Sequence, residues 1–189
     1  MVSTFKMLGC SRVQLNLGSD ADFGFLSSFT NREGKARKPR FKMSKPVKIG
    51  PWGGDGGEPR DIEYTPFTLV GVAVRSGDAI NGVRFTYVDT SGNLHEEEWG
   101  GSEAEKFEEL LLQELEYVEE ISGTYGSPPE SYVTSLELVT NKGRTIRGGT
   151  AGSGGSFNVP LVSARIIGFF GAAGTTYIDS FGIYAGFAA

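Results

Sequence analysis

The sequence predicts an all-β domain, and two observations lead to that prediction. Gly accounts for 28 of the 189 residues and aromatic side chains for 12% of them. Such a mixture suits strands joined by tight turns better than it suits a helical bundle. Apolar and aromatic segments also recur from residue 49 onward, separated by short runs of Gly, Asn, Asp and Ser. A chain of this length can bury one hydrophobic core.

The strands are predicted in the order in which turn signals divide the chain. Residues 67–99 contain successive strands, because "SGDAING" and "DTSGN" interrupt an otherwise apolar and aromatic run. Residues 132–149 alternate apolar and polar side chains around an "NKG" turn, which predicts another hairpin. Residues 159–171 and 176–185 are predicted to form a further pair.

One segment favours a different structure. Residues 102–120, "SEAEKFEELLLQELEYVEE", have a composition that predicts a helix. The leucines at positions 110, 111, 112 and 115 fit a helical apolar stripe. Tertiary context often overrides such propensities, so the residues alone leave helix and strand open here.

Charge divides the chain into two parts. Residues 1–48 carry ten Lys and Arg against three Asp and Glu, whereas residues 49–189 carry eight against twenty. We predict a basic, flexible N-terminal extension over residues 1–44 and a folded domain over residues 45–189. The basic cluster is a nuclear-import signal, a patch that binds an anionic surface, or simply a solvated tail. Met43 could serve as a second translation start, which would make the extension dispensable. The acidic domain would repel phosphates, which argues against nucleic-acid binding.

Cysteine usage and hydropathy indicate the compartment. Cys10 is the single cysteine, so neither an intrachain disulfide nor a cysteine zinc site can form. The chain contains no Asn-x-Ser/Thr sequon, and no apolar run approaches the length of a signal peptide core or a membrane span. We therefore predict a cytoplasmic protein, with the nucleus as a second compartment, and no membrane span.

Internal similarity indicates a pseudo-symmetric domain. Residues 76–87, "SGDAINGVRFTY", and residues 174–184, "GTTYIDSFGIY", share a small-residue loop, then an acid or amide, then an aromatic strand. Gly pairs recur at 56–57, 100–101 and 148–149. Repeated units of this kind predict equivalent loops gathered at common ends. The acid of the second unit, Asp179, could cap a turn, hold a metal, act in catalysis or accept hydrogen bonds from a ligand.

The sequence offers no catalytic constellation. The Gly-rich residues 148–156 lack the Gly-Lys-Ser/Thr ending of a phosphate-binding loop. His95 stands beside three glutamates, but adjacent strand residues face opposite sides, which argues against a metal site there. No nucleophile elbow accompanies that histidine. We predict that the protein is not an enzyme and uses neither a metal nor another cofactor.

Five segments carry a resemblance to a known family, in this order: "KIGPWGGDGG" (48–57), "SGDAINGVRFTYV" (76–88), "YVEEISGTYG" (117–126), "VTSLELVTNKG" (133–143) and "IIGFFGAAGTTYIDSFGIY" (167–184). Residues 45–185 resemble the jacalin-related lectins, and "MSKPVKIGPWGG" is especially similar to the mannose-binding lectins of cereal grasses. The resemblance implies a β-prism I fold of three four-stranded Greek-key sheets with pseudo-three-fold symmetry. In that fold, residues 102–120 would form a strand, a turn and a strand.

The resemblance also implies a function. The family binds sugars without a metal. Members that are single uncleaved chains usually bind mannose or glucose, and here the Gly-rich segment lies inside the chain and not at a freed N-terminus, so the resemblance implies mannose or glucose as the ligand. Each site would bind weakly, so mannose- or glucose-containing glycans would be held through several sites. We therefore expect a homo-oligomer, with a dimer favoured. The resemblance also implies a plant protein. The alternative is a non-catalytic β-prism protein-interaction module whose sugar loop is disabled by an insertion.

The resemblance places the sugar site around Asp179. That carboxylate would accept hydrogen bonds from sugar hydroxyls, while the backbone N–H groups of Thr176, Tyr177 and Gly57 would donate. The family loop has the spacing Gly-x-x-x-Asp, but here Gly174 precedes the acid by five residues and Thr175 takes the usual place of the glycine. The loop is thus one residue longer. This could widen the site, change its preference or abolish binding.

A second candidate carbohydrate site follows from the same resemblance. It would comprise Gly77, Asp78, Asn81 and Gly101. Asn81 stands where the family motif has an acid, and an amide lacks the charge and offers a donor in place of one acceptor. Ordinary turn chemistry is the competing interpretation of Asp78 and Asn81.

Overall fold

The computed structural model describes residues 45–129 and 131–187, together with two short strands nearer the N-terminus. The chain divides into two compact units, Met1–Lys42 and Met43–Ala189. In the first unit, β1 (Phe29–Thr30) pairs antiparallel with β2 (Ala36–Arg37). The prediction of a flexible extension otherwise falls outside the described residues. Among those that are described, no helix has the length and hydropathy needed to cross a membrane.

The second unit is built from twelve strands, and the described residues contain no helix, which confirms the all-β prediction. The strands are β3 (Val47–Gly53), β4 (Glu58–Arg60), β5 (Pro66–Ser76), β6 (Ile80–Asp89), β7 (Leu94–Gly100), β8 (Lys106–Leu111), β9 (Val118–Tyr125), β10 (Val133–Thr140), β11 (Thr145–Gly149), β12 (Gly155–Pro160), β13 (Ala164–Ala173) and β14 (Ile178–Phe187). The predicted hairpins around "SGDAING", "DTSGN" and "NKG" are all present.

The twelve strands form three antiparallel sheets of four. Sheet 1 has the order β8-β5-β6-β7, sheet 2 the order β12-β9-β10-β11, and sheet 3 the order β4-β13-β14-β3. In sheets 1 and 2 three strands joined by hairpins are followed by a fourth that returns beside the first, which is the Greek-key order. Sheet 3 achieves it with strands from both ends of the unit. Val118 of β9 pairs with Ile166 of β13, and this bridge makes sheets 2 and 3 continuous in backbone hydrogen bonding.

The inner faces of the three sheets share one hydrophobic core. Phe85 of sheet 1 meets Phe169 of sheet 3 edge to face at 5.0 Å, and Phe169 stacks on Phe181 at 4.9 Å. Trp52, near the end of strand β3 and close to the predicted site, stacks on Phe157 of sheet 2 at 4.5 Å. Aromatic contacts therefore tie the sheets to one another, and the three-sheeted architecture implied by the resemblance is confirmed.

The helix that composition predicts over residues 102–120 is wrong. This segment forms β8, a turn and the start of β9, as the resemblance implied. On β8 the leucines alternate, because Leu110 is 3% exposed and Leu111 is 60% exposed. Leu115 lies in the turn with a φ of +59° and an exposed side chain. Pairing of β8 with β5 and of β9 with β10 outweighs the helical propensity of the segment.

A buried glutamate organises the turn between β8 and β9. The Glu116 carboxylate accepts hydrogen bonds from the Gln113 backbone N–H at 2.9 Å, the Thr140 hydroxyl at 2.8 Å and the Arg144 guanidinium at 2.9 Å. Its side chain is fully buried. Burial alone would raise the pKa of Glu116, but these hydrogen bonds outweigh burial and hold that pKa below its ordinary value.

A second buried carboxylate, Asp89, organises the turn between β6 and β7. It accepts hydrogen bonds from the backbone N–H groups of Ser91 and Asn93, and a ring nitrogen of His95 lies 2.9 Å from it. His95, the residue considered as a metal ligand, is therefore paired with Asp89. The described residues contain no cluster of three or more metal-ligating side chains. Burial alone would raise the pKa of Asp89, but its hydrogen bonds hold that pKa far below the ordinary value of 3.8.

The free energy of unfolding should fall as the pH is lowered into the acid range. A carboxyl whose pKa is lower in the folded state contributes stability that is complete above its unfolded pKa, 3.8 for Asp89, and that is lost as the pH falls below it. Urea unfolding between about pH 6 and about pH 2.5 measures this loss. Asp89→Asn should be less stable at about pH 6 and lose less stability across the range. An equal loss in both proteins would contradict the expectation.

Candidate functional site

One backbone contact is repeated in all three sheets, at the end of the domain where the predicted site lies. The contacts are Gly54 N–H to Asp179 O at 2.9 Å in sheet 3, Gly101 N–H to Asn81 O at 2.8 Å in sheet 1, and Thr150 N–H to Thr134 O at 3.0 Å in sheet 2. The residue before each donor is a glycine with positive φ, at positions 53, 100 and 149. Asp179, Asn81 and Thr134 are therefore equivalent, and we call them the repeat positions.

This equivalence corrects the glycine repeat inferred from the sequence. The pairs at 56–57, 100–101 and 148–149 are predicted to correspond, but the equivalent pairs in the structure are Gly53-Gly54, Gly100-Gly101 and Gly149-Thr150. Because "WGGDGG" contains two Gly pairs, the sequence alone does not distinguish them. The second pair, Gly56-Gly57, lies in the connection between β3 and β4, over residues 54–57, and has a separate role, as described next.

The Asp179 side chain lies among three glycines. It projects from the start of β14, and a Cβ at Gly56 would lie 2.6 Å from its Oδ1, one at Gly174 would lie 3.4 Å from its Oδ2, and one at Gly57 would overlap Oδ2. The residue is half-buried. Within residues 45–129 and 131–187, no group donates a hydrogen bond to this carboxylate. The charged carboxylate is thus held next to glycine backbone, and its lone pairs are free to accept hydrogen bonds from a ligand.

Gly57 lies close to the carboxylate because it lacks a side chain. Its φ is +69°, a left-handed conformation that L side chains rarely adopt, and its Cβ position is occupied by the Asp179 carboxylate and the backbone of Ala173. Gly57 is exposed, and none of the hydrogen bonds found in the described residues uses its N–H group. A donor and a charged acceptor therefore open onto the same side of the domain.

The loop over residues 174–177 completes this pocket. The Gly174 N–H donates to the Tyr177 carbonyl at 3.0 Å, which closes a tight turn that accommodates the additional residue. Thr175, which takes the usual place of the family glycine, does not have a positive φ, since the non-glycine residues with positive φ in the described chain are Leu115 and Ser163. Thr176 is exposed, and the N–H groups of Thr176 and Tyr177 donate no hydrogen bond to any described residue.

An aromatic pair borders the loop on the side of sheet 2. The Tyr177 ring stacks on Tyr132 with a centroid distance of 4.3 Å and an angle of 18°. A Cβ at Gly54 would lie 2.6 Å from the Cβ of Ser131, so the segment before β10 packs directly against the site. The sequence did not identify Tyr132 or Gly56 as site residues. No local signal marks Tyr132, because its contact with Tyr177 arises only when sheets 2 and 3 meet.

The residues of the second candidate site also lie together, at the end of sheet 1. The Gly77 N–H donates to Ala79 O at 3.1 Å, and the Asp78 carbonyl accepts from Thr150 N–H at 3.1 Å, while the Asp78 side chain is exposed. The Asn81 Nδ2 group lies 3.4 Å from Thr176 O, within hydrogen-bond distance of the first loop. A sugar site here stays a prediction.

The three repeat positions differ in how their side chains are used. The Asp179 carboxylate accepts no hydrogen bond from the described residues, the Asn81 side chain donates to the neighbouring loop, and the Thr134 hydroxyl lies 2.8 Å from the Thr124 hydroxyl. Of the three, Asp179 has unused acceptors beside unused backbone donors. Such a combination suits a polyhydroxylated ligand, whose hydroxyl groups both donate and accept.

Comparisons with known proteins agree with this geometry. A family model described as a jacalin-like lectin domain matches residues 49–184. Horcolin of Hordeum vulgare is 43% identical over 146 residues, which cover 75% of this chain and 98% of that protein. The mannose/glucose-specific lectin of Parkia platycephala is 35% identical over 156 residues, which cover 78% of this chain and 33% of that protein. Among solved structures, AcmJRL, a mannose binding jacalin related lectin from Ananas comosus, has a TM-score of 0.69 at 36% identity, covering 75% of this chain and 98% of that one.

Proposed function

The chain belongs to the jacalin-like lectin family, and on this premise we propose that it binds mannose- or glucose-type carbohydrate through the pocket around Asp179. One observation carries the proposal. The half-buried Asp179 carboxylate lies against glycine backbone and accepts no hydrogen bond from the described part of the chain. A charged acceptor held in this way is ready to accept hydrogen bonds from two sugar hydroxyls.

The remaining site residues supply hydrogen-bond donors and an apolar surface, which a carboxylate lacks. The N–H groups of Gly57, Thr176 and Tyr177 would donate to sugar oxygens, and the Tyr177 ring would cover an apolar patch of the sugar. Gly174 and Thr175 shape the turn that presents these donors. The arrangement uses only hydrogen bonds and apolar contact, so we propose a binding protein that requires no metal and performs no catalysis.

The choice of sugar is supported by the relatives. AcmJRL is described as mannose binding and the Parkia platycephala lectin as mannose/glucose-specific. Mannose and glucose differ only at C2, so a site that recognises hydroxyls elsewhere on the ring would accept both. We propose that the protein recognises glycans that present either sugar at an accessible end.

Binding at one shallow site should be weak, with a Kd on the order of millimolar, or about 4 kcal/mol. Useful affinity then requires several sites that engage one glycan or surface. We therefore propose a homo-oligomer, with a dimer as the simplest form, which sedimentation equilibrium would measure. The single cysteine and the lack of a glycosylation sequon support a cytoplasmic location with the nucleus as a second compartment.

Titration with methyl α-mannoside, followed by NMR, tests the sugar assignment. The wild-type protein should saturate with a Kd on the order of millimolar. Asp179→Asn keeps the shape of the side chain but removes its charge and turns one acceptor into a donor. Because hydrogen bonds to a charged group contribute about 1.5–3 kcal/mol, the variant should bind at least about tenfold more weakly.

Glu96→Gln provides the charge-matched control. Glu96 is exposed on β7 of sheet 1, so this variant changes the net charge equally and should bind like the wild type. Equal affinity of the wild type and Asp179→Asn would contradict the site. A folded wild-type protein that binds neither methyl α-mannoside nor methyl α-glucoside would contradict the sugar assignment and favour a protein-interaction module.

A further inference from the structure

The sugar-binding loop rests directly on Gly101 at the end of sheet 1. A Cβ at residue 101 would lie 2.9 Å from the Thr175 carbonyl oxygen, 3.0 Å from the Thr176 carbonyl oxygen and 3.2 Å from the Thr176 Cα. At these distances either the new atom or the loop must move. Gly101 is held in turn by its own N–H, which donates to Asn81 O at 2.8 Å. The position of the loop therefore depends on the absence of a side chain at residue 101.

The Asn81 side chain contacts the same loop. Its Nδ2 group donates to the Thr176 carbonyl oxygen at 3.4 Å, across 95 residues of sequence. An aspartate could not make this contact, because a carboxylate and a carbonyl oxygen are both acceptors. The amide that distinguishes Asn81 from the equivalent Asp179 is thus the group that the contact requires.

The loop depends on contacts from outside itself. It spans residues 174–177 between β13 and β14, and Thr175 and Thr176 in it are exposed. The Gly174 N–H to Tyr177 O hydrogen bond closes the turn internally, but it does not fix the direction of the turn. Among the described residues, Gly101 and Asn81 at the end of sheet 1 provide contacts of this kind with Thr175 and Thr176.

We propose that Asn81 and Gly101 are positioning residues for the sugar-binding loop. They hold the Thr176 carbonyl, and with it the donor N–H groups of Thr176 and Tyr177, at the distance from Asp179 that a sugar requires. The inference rests on the proposed function of the Asp179 pocket. It also reassigns part of the second candidate site: these residues serve the first site, and each domain binds one sugar.

Two variants test the positioning role. Asn81→Ala removes the hydrogen bond, and Gly101→Ala inserts a methyl group against Thr175 and Thr176. Each should weaken binding of methyl α-mannoside by about two- to tenfold, the effect of one hydrogen bond. The thermal midpoint of unfolding should stay close to that of the wild type. Backbone ¹⁵N relaxation should report a more mobile loop over residues 175–177 in both variants.

Asn81→Asp separates the two interpretations of this region. If Asn81 positions the loop, the carboxylate repels the Thr176 carbonyl and binding weakens, with one sugar bound per domain. If Asn81 belongs to an independent second site, the restored acid should raise the stoichiometry to two. Asn158→Asp, on the exposed face of β12, adds the same charge elsewhere and should bind like the wild type.

Unchanged affinity in Asn81→Ala and Gly101→Ala would overturn the positioning role, as would a stoichiometry of two. A folded wild-type protein that binds no sugar would instead overturn the proposed function. In that case the ¹⁵N relaxation data still decide the positioning role, since a loop equally ordered in the wild type and both variants would contradict it.

Discussion

Gly57→Ala is expected to abolish detectable binding of methyl α-mannoside while the domain remains folded. The new Cβ would overlap Oδ2 of Asp179 and would lie 2.7 Å from the carbonyl carbon of Ala173 and 2.9 Å from the Gly174 nitrogen. The carboxylate and the first residue of the loop would both have to move. The methyl group would also occupy the space through which a sugar approaches the Gly57 N–H. NMR titration up to high sugar concentration measures the loss.

The control for this variant is Gly143→Ala. Gly143 has a φ of +73°, close to the +69° of Gly57, and a Cβ there would meet no atom within 4 Å. Both variants therefore carry the strain of an L residue in a left-handed conformation, about 1–2 kcal/mol, but only Gly57→Ala changes the pocket. Gly143→Ala should lose about this much stability, since it carries the backbone strain without the overlap, and it should bind sugar normally. Normal binding by Gly57→Ala would show that the sugar lies elsewhere.

The strands of this protein could be predicted because local chemistry and tertiary structure agree along most of the chain. Residues 67–99 and 132–149 alternate or run apolar between turn formers, and each turn signal corresponds to an observed hairpin. The segment over residues 102–120 differs because its Glu and Leu favour a helix locally. Its structure is decided by pairing with β5 and β10 and by the hydrogen bonds that the Glu116 carboxylate accepts from Thr140 and Arg144, and none of these partners lies within the segment.

The candidate site was predictable to the extent that it is built from contiguous motifs. Short segments that resemble the family contain Gly57, Asp179 and the loop over residues 174–177, although the spacing of that loop departs from the family by one residue. The contacts of Tyr132 and Asn81 with this loop could not be derived in the same way, because each joins segments that belong to different sheets. The same holds for the repeat positions. The sequence shows which residue type stands at each position, but the equivalence of the three positions is established only by their backbone hydrogen bonds.

Glu116→Ala is expected to cause the largest loss of stability of any variant considered, about 3 kcal/mol. The substitution removes the acceptor of three donors, the Gln113 N–H, the Thr140 hydroxyl and the Arg144 guanidinium. The Thr140 residue is 1% exposed, so water cannot easily replace the lost partner. The Arg144 side chain is 39% exposed and also donates to Leu111 O, which limits its share of the loss. Urea unfolding at neutral pH measures the difference.

Glu109→Ala is the matched control, because Glu109 and Arg84 form an ion pair of the same length, 2.9 Å, but with side chains 42% and 32% exposed. Exposed pairs contribute about 1 kcal/mol or less, since water solvates both charges when the pair is broken. A similar loss in both variants would mean that burial of Glu116 adds nothing to its contribution to stability.

Glu116 lies before β9, whereas the segment that carries Tyr132 follows the other end of that strand. Sugar affinity of the folded Glu116→Ala protein should therefore match the wild type, which separates the stability of the scaffold from the chemistry of the site.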